Sequence, residues 1–346
     1  ISARLEYATS LFTKDFMTQF LNHYISLIKL ILNDIHVTIK EISLLNKDEK
    51  LEIEKTYNSS ILPYDENVKL VELFENEAEK NPNNIAIRFN GSSITYEELN
   101  KKANQIANFL ISKNVKRNQI VGILLPRTPD LLFAMLGILK SGAGYMLIDT
   151  SLPYDRISFM LENAHSNYLI TNKDSKNIDG VEKLYLDELP LENYSAQNVN
   201  AYSDNEDSFA VIYTSGSTGT PKGVELKRKG VINMLSNYKA FLYTDTCTNF
   251  LSMSSVAFDM FIVENFVPLL SGKTVILTNE EEQKIPLYTN TLIEQEHVNF
   301  ILTTPSRMDL LLSVGSNWNT IKVIQLGGEV FPSNLYDKIK AQTSNA

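Results

Sequence analysis

Phe209-Ala210-Val211-Ile212-Tyr213-Thr214-Ser215-Gly216-Ser217-Thr218-Gly219-Thr220-Pro221-Lys222-Gly223-Val224 is the stretch on which the reading of this chain turns. The apolar run Phe209 to Tyr213 reads as a buried strand. It enters a loop of small hydroxyl residues and glycines that closes on a lysine. Glycines let backbone N–H groups come close to an anion. The hydroxyls of Thr214, Ser215, Ser217 and Thr218 add donors, and Lys222 adds a positive charge. Together these groups describe a cradle for a polyphosphate. It is not a Walker loop, which needs Gly-x-x-x-x-Gly-Lys-Ser/Thr. Lys222 does stand six residues after Gly216, but Pro221 occupies the place of the second Gly and Gly223 that of the Ser or Thr.

Around this loop, short apolar runs alternate with helical patterns. Strands are expected at 120–125, 145–148, 168–171, 209–213, 249–253, 273–277, 299–303 and 322–326. Helices are expected near 129–140, 154–163, 229–241, 260–270, 286–296, 305–313 and 332–342. Thr128-Pro129 suits a helix start, with Pro at the first helical position. Thr95 with Glu98 forms a capping box, after which Leu99, Ala103, Ile106, Ala107 and Leu110 line one face. The alternation predicts an α/β fold of layered, mainly parallel sheets flanked by helices. Residues 172–208 are rich in Asn, Asp, Glu and Ser and are expected to run over the surface. Residues 46–66 read as a polar linker. An amphipathic helix over 15–34 carries Phe16, Phe20, Tyr24, Ile28 and Ile31 on one face. Its other face is not basic, so it is expected to pack on protein rather than on a membrane.

Composition narrows the function classes. The 346 residues are 43% hydrophobic and carry a formal net charge of −9. That balance argues against nucleic-acid binding, which needs clustered Lys and Arg. Cys247 is the single cysteine, which fits a reducing, cytoplasmic compartment. His23, His36, His165 and His297 have no metal-ligand spacing, so no metal site is expected. No run approaches the roughly 18 apolar residues of a membrane span. The chain starts at Ile1 without a signal peptide and reads as an excerpt of something longer.

The quoted loop resembles the signature loop of the adenylate-forming superfamily, which covers acyl-CoA synthetases, luciferases and the adenylation domains of nonribosomal peptide synthetases. Ile94-Thr95-Tyr96-Glu97-Glu98-Leu99 is similar to an early motif of that family. Leu139-Lys140-Ser141-Gly142-Ala143-Gly144-Tyr145-Met146-Leu147-Ile148-Asp149, with Pro153 and Arg156, is similar to a form typical of peptide-synthetase adenylation domains. Asp149 and Arg156 are expected to pair at the strand end. The resemblance implies that Thr214, Ser215, Gly216, Ser217, Thr218, Gly219 and Lys222 hold the β- and γ-phosphates of ATP while a carboxylate attacks the α-phosphorus. Ala257-Phe258-Asp259 resembles the segment that opens the amino-acid pocket, where the Asp accepts the α-ammonium; the alternative is that Asp259 caps the helix at 260–270. The same resemblance places Met260, Val263, Leu302, Ile324 and Leu326 along the side-chain pocket, which implies a hydrophobic amino acid. Gln325-Leu326-Gly327-Gly328-Glu329 puts the glycines beside the adenosine and gives Glu329 a structural part.

Residues 1–45 look like the tail of a condensation domain, 46–66 like the joint that follows it, and 67–346 like the N-terminal part of an adenylation core. The implied cofactors are ATP and magnesium, with phosphopantetheine on a partner carrier protein. The implied partners are condensation and carrier domains of one synthetase. Lys227-Arg228-Lys229 stands where the family has a His at position 228, and reads as a solvated basic face. The chain stops before the family's Tyr-Gly-Pro-Thr-Glu motif and mobile lid, so the excerpt alone is expected to show little or no adenylation. Two other readings stand beside the amino-acid ligase: an acyl- or aryl-acid ligase, which has no use for Asp259 as an ammonium partner, and a non-catalytic docking platform between synthetase domains.

Overall fold

The computed structural model describes residues 4–59, 65, 67–173, 178–199, 203–214, 221–241, 246–315 and 318–343. The chain divides into two units, Ile1–Pro63 and Tyr64–Ala346. In the first, α1 (Lys14–Asn33) begins at Thr13, whose hydroxyl accepts from Phe16 N at 3.2 Å. The expected linker is partly helical: α2 (Lys47–Leu51) runs into a π turn at Glu52–Thr56. Asn46 and Glu49 make a capping box that polarity alone conceals. Glu49 also accepts from Gln19 Nε2 at 2.8 Å and contacts His23 Nε2 at 2.8 Å. The Asn46 backbone N–H, then Gln19 and His23, hold its carboxyl down to about 2.

The second unit runs α3 (Leu70–Lys80), β1 (Ile85–Phe89), β2 (Ser92–Thr95), α4 (Tyr96–Ser112), β3 (Ile120–Leu124), α5 (Asp130–Lys140), β4 (Gly144–Leu147), α6 (Tyr154–Asn163), β5 (Tyr168–Thr171) and β6 (Glu182–Tyr185). It continues through β7 (Ser208–Thr214), β8 (Lys222–Lys227), α7 (Arg228–Phe241), β9 (Asn249–Ser252), α8 (Asp259–Leu269) and β10 (Thr274–Leu277). The last elements are α9 (Glu280–Lys284), α10 (Pro286–Gln295), β11 (Phe300–Thr303), α11 (Pro305–Ser313), β12 (Val323–Leu326) and α12 (Ser333–Gln342). Two six-stranded sheets form, ordered β12-β11-β9-β10-β1-β2 and β6-β5-β3-β4-β7-β8. The pairings are parallel except β1 with β2 and β7 with β8, both at sheet edges. The expected α/β class holds.

The strands at 85–89, 92–95, 182–185 and 222–227 were not anticipated. β6 and β8 are edge strands rich in charge, a composition that blunts an edge and hides the alternation. The stretch 172–208 also ends inside the protein. Asp207 is 1% exposed and accepts from Arg117 Nη2 at 2.7 Å, Asn118 Nδ2 at 2.9 Å and Asp204 N at 2.7 Å. The basic run after the loop needs correction too. Lys227 and Lys229 form ion pairs with Glu225 and Glu206, but Arg228 is buried.

What positions the site is the place of α8. Every residue from Phe261 to Leu269 is buried, the mark of a helix covered on all sides. It packs on β9, β10 and β11 of the first sheet. Phe266 meets Phe209 of the second sheet edge-on at 5.0 Å and stacks on Tyr145 at 6.5 Å. So α8 lies between the two sheets, within a core cluster drawn from both. Burying one such Phe contributes about 2–3 kcal/mol, and the packing fixes where the first turn of α8 emerges.

Candidate active site

The C-terminal end of β7 and the segments just past β3, β4, β9, β10 and β11 line neighbouring cavities, the usual ligand position in open parallel sheets. One cavity of about 70 Å³ is lined by Tyr213, the stem of the phosphate loop, and by Ala257 and Phe258 at the entrance to α8. The fold therefore brings together two motifs that lie about forty residues apart in sequence. Asp149 and Arg156 line the same cavity. Instead of the expected ion pair, Asp149 accepts from Ser151 N at 2.8 Å and Ser151 Oγ at 2.6 Å, and Arg156 Nε is buried without a hydrogen bond.

Thr214 ends β7 and pairs with Lys222, the first residue of β8, so an antiparallel ladder holds both ends of the phosphate loop. Lys222 is exposed there. Ser215, Gly216, Ser217, Thr218 and Gly219 lie outside the described residues. The stem is tied to α6 by Tyr213 Oη, which donates to Asn163 Oδ1 at 2.7 Å and Met160 O at 3.1 Å.

Asp259 does not cap its helix. Phe258 holds the cap position and Asp259 is the first helical residue, exposed in the turn where the helix dipole favours a carboxylate. Burial pushes the Tyr238 phenol of α7 above its ordinary range, opposed by a hydrogen bond with Gln325 and helped by the negative charges of Asp259 and Glu264.

The five apolar positions expected to line a pocket separate. Met260 lines a cavity of about 360 Å³ with Met253, Ser254, Phe258, Thr304 and Arg307. Val263 and Leu302 are buried at 8% and 3% in the core shared by the sheets. Ile324 and Leu326 require correction. Register pairs Leu302 with Gln325 and Ile301 with Ile324, and paired residues share a face. Ile324 and Leu326 accordingly pack on the opposite side of the sheet, with Met308, Leu311 and Leu335. Gln325, not its neighbours, faces the α8 side.

Gly327 and Gly328 follow β12. A Cβ on Gly327 would meet only Met260 Cε at 4.0 Å, and one on Gly328 would meet Met260 Cε and Thr304 Cγ2 at 3.7 Å. Gly328 has φ +82°, which a side chain would strain. The backbone thus stays open toward Met260. Glu329 accepts from Ser306 N at 2.9 Å in the first turn of α11, the structural part expected of it.

Two residues of the site escaped the sequence reading. Arg127, past β3, is 5% exposed. It donates to Ser252 O at 2.6 Å, Ser254 O at 2.7 Å and Thr278 O at 2.9 Å, and its guanidinium sits 5.1 Å from the Phe261 ring centre. Glu264 of α8 is fully buried and accepts from Met253 N at 3.0 Å, Ser254 N at 2.9 Å and Ser254 Oγ at 2.6 Å. A signal for Glu264 existed: a single charge within the apolar run Phe261 to Phe266 needs a buried partner. Burial pushes the Glu264 carboxyl up to about 7, opposed by Ser254 and Arg127. From its ordinary value of 4.5 up to about 7, the folded chain holds a proton that the unfolded chain has released. Stability is therefore highest below pH 4.5 for this group and falls by about 3 kcal/mol toward pH 7. Urea unfolding should show that loss in the wild type, relative to Glu264→Gln, between pH 4.5 and 7 and none above it.

Tyr213 at the stem of the glycine-rich hairpin and Phe258 at the start of α8 border one strand-end cavity, an arrangement that fits a nucleotide-dependent ligase class. Residues 74–345 match the AMP-binding enzyme family, and the chain belongs to it. It is 34% identical over 344 residues to gramicidin S synthase 2 of Brevibacillus brevis, covering 98% of this chain and 8% of that protein. With tyrocidine synthase 3 of Brevibacillus parabrevis it shares 32% identity, covering 97% and 5%. The chain thus spans under a tenth of these curated relatives. Its fold matches the nonribosomal peptide synthetase FmoA3 in an AMPPNP-bound crystal structure with TM-score 0.85 at 24% identity, covering 96% of this chain and 36% of that one. The family and fold inferred from the phosphate loop and flanking motifs are borne out.

Proposed function

We propose that this chain belongs to a nonribosomal peptide synthetase and takes part in activating an amino acid with ATP. An oxygen of the amino-acid carboxylate bonds to the α-phosphorus, the bond from that phosphorus to the β-phosphate bridge breaks, and pyrophosphate leaves. The aminoacyl-adenylate then passes its acyl group to the phosphopantetheine thiol of a carrier domain, releasing AMP. The observation that carries this reading is the shared cavity of Tyr213 with Ala257 and Phe258, which sets the phosphate hairpin beside the start of α8. Asp259 receives the α-ammonium, because a desolvated cation needs a charged partner. Thr214, Lys222 and the loop between them neutralise the phosphates, and Gly327 and Gly328 leave room for the adenosine. Magnesium, when bound, supplies charge neutralisation on the transferring phosphates.

The side chain of the amino acid is hydrophobic in this reading, packed on Met253, Phe258 and Met260, with Val263 and Leu302 as the buried layer beneath. We assign residues 1–45 to the end of a condensation-like domain, 46–66 to a joint, and 67–346 to the adenylation core. The match to gramicidin S synthase 2 supports this by covering nearly the whole chain, whereas the family match begins at residue 74. Among the described residues no helix is long and apolar enough to cross a membrane, and Cys247 is a buried free thiol. The free thiol supports placement in a reducing compartment.

The test is amino-acid-dependent exchange of pyrophosphate into ATP by the full-length protein. Exchange with aliphatic or aromatic amino acids is expected. Exchange with carboxylic acids that lack an amino group would move the assignment to an acyl ligase, and no exchange with any substrate would leave a docking role.

A further inference from the structure

We propose that Glu264 and Arg127 are positioning residues that clamp the backbone after β9, and through it set Asp259 and Met260 against the phosphate hairpin. The proposal rests on the reading of Asp259 as the ammonium partner. Beyond Ser252 the chain leaves the sheet while still buried, so its peptide groups need partners. They are gripped from two sides. Arg127 takes the carbonyls of Ser252 and Ser254, and Glu264 takes the N–H groups of Met253 and Ser254.

The grip closes a ring. Ser254 is joined to Glu264 by backbone and side chain, and the covalent path between them contains Asp259. Inside the ring the path is short and turned, with Phe258 N donating to Ser255 O at 3.1 Å. Glu264 lies one helical turn from Met260, whose Sδ is 3.9 Å from Ser254 Oγ. A shift at Ser254 has nowhere to dissipate before it reaches Asp259. Arg127 adds a second link. It follows β3, which belongs to the same sheet as β7, whereas the carbonyls it holds end or follow β9 and follow β10 of the other sheet. The segment that leads from β9 into Asp259 and the hairpin of β7 and β8 belong to different sheets, and Arg127 bridges those two sheets at the rim.

The test measures the amino-acid KM and the ATP KM separately in the exchange reaction of the full-length protein. Glu264→Gln and Arg127→Lys should each raise the amino-acid KM about tenfold and leave the ATP KM within about twofold. The double variant should be no worse than the poorer single, because both act through one segment. Ser254→Ala leaves both charges in place and serves if either charge variant fails to fold; it should raise the amino-acid KM about threefold. Lys140→Met is the control for lost stability, since Lys140 is a buried cation paired with Glu75 on α3, away from the rim. It should lower the Tm with both KM values unchanged. The proposal is overturned if the Glu264, Arg127 and Ser254 variants change only the Tm, or move both KM values together. Asp259→Ala separates the two ideas. If it raises the amino-acid KM and the clamp variants do not, the clamp alone falls. If it leaves that KM unchanged, the ammonium assignment falls and the clamp with it.

Discussion

Asp259→Ala is expected to lower kcat/KM for the amino acid in pyrophosphate exchange by about thirtyfold to a few thousandfold, with little change in Tm. The magnitude follows from removing one partner of a desolvated charge pair, which costs about 2–5 kcal/mol, or 1.4 kcal/mol per factor of ten. The direction follows from where the residue stands. Asp259 is the first residue of α8, exposed, and not used as a cap. Its favourable place at the helix start is worth at most about 1 kcal/mol, so the larger loss should fall on substrate. Asp259→Asn keeps the shape and removes the charge, and should lose nearly as much. Steady-state exchange over a range of amino-acid concentrations, with a thermal melt on the same samples, checks both claims. A kcat/KM within threefold of wild type in both variants would remove Asp259 from the binding reaction.

Arg228→Met should destabilise the second unit by about 3–5 kcal/mol, read from urea unfolding. The side chain is 1% exposed. Its Nη2 donates to Ala143 O at 2.9 Å and Leu139 O at 3.0 Å, which joins the start of α7 to the turn between α5 and β4. Burial lowers the guanidinium to about 10, opposed by Asp207, so it remains charged at neutral pH. Methionine fills much of the volume but takes the guanidinium donor from the Ala143 carbonyl, leaves the Leu139 carbonyl with only its backbone donor Gly142 N at 3.2 Å, and removes a cation near Asp207. Lys229→Met is the comparison, because Lys229 is exposed and pairs with an exposed glutamate. An exposed pair of that kind is worth at most about 1 kcal/mol. Equal effects of the two substitutions would show that Arg228 is as solvated as its neighbours.

The legible parts of the fold were those with strong local pattern. The strands at 168–171 and 209–213 and the helices at 154–163 and 305–313 came out within a residue or so of the structure. The capping box at Thr95 and Glu98 is present as read. The edge strands β6 and β8 were missed because their charges erase the alternation. At the site, the phosphate-loop stem and the start of α8 were legible from motif, and the fold brings them to one cavity. The pocket lining was not. Ile324 and Leu326 are apolar and close in sequence to the glycines, but one step of strand register turns them to the far face.

Composition and motif by themselves determined the class of fold, the family and the position of the glycine-rich hairpin, because each depends on residues adjacent in the chain. Only the tertiary structure decided which side chains face α8, that Arg228 is buried while its neighbours are solvated, and that Arg127 and Glu264 hold one segment. Those outcomes depend on register between strands and on partners 125 or 151 residues away in sequence. A one-dimensional pattern carries periodicity and local capping, whereas the desolvation of a charge and the satisfaction of a buried peptide group are set by whichever distant segment the fold packs against it.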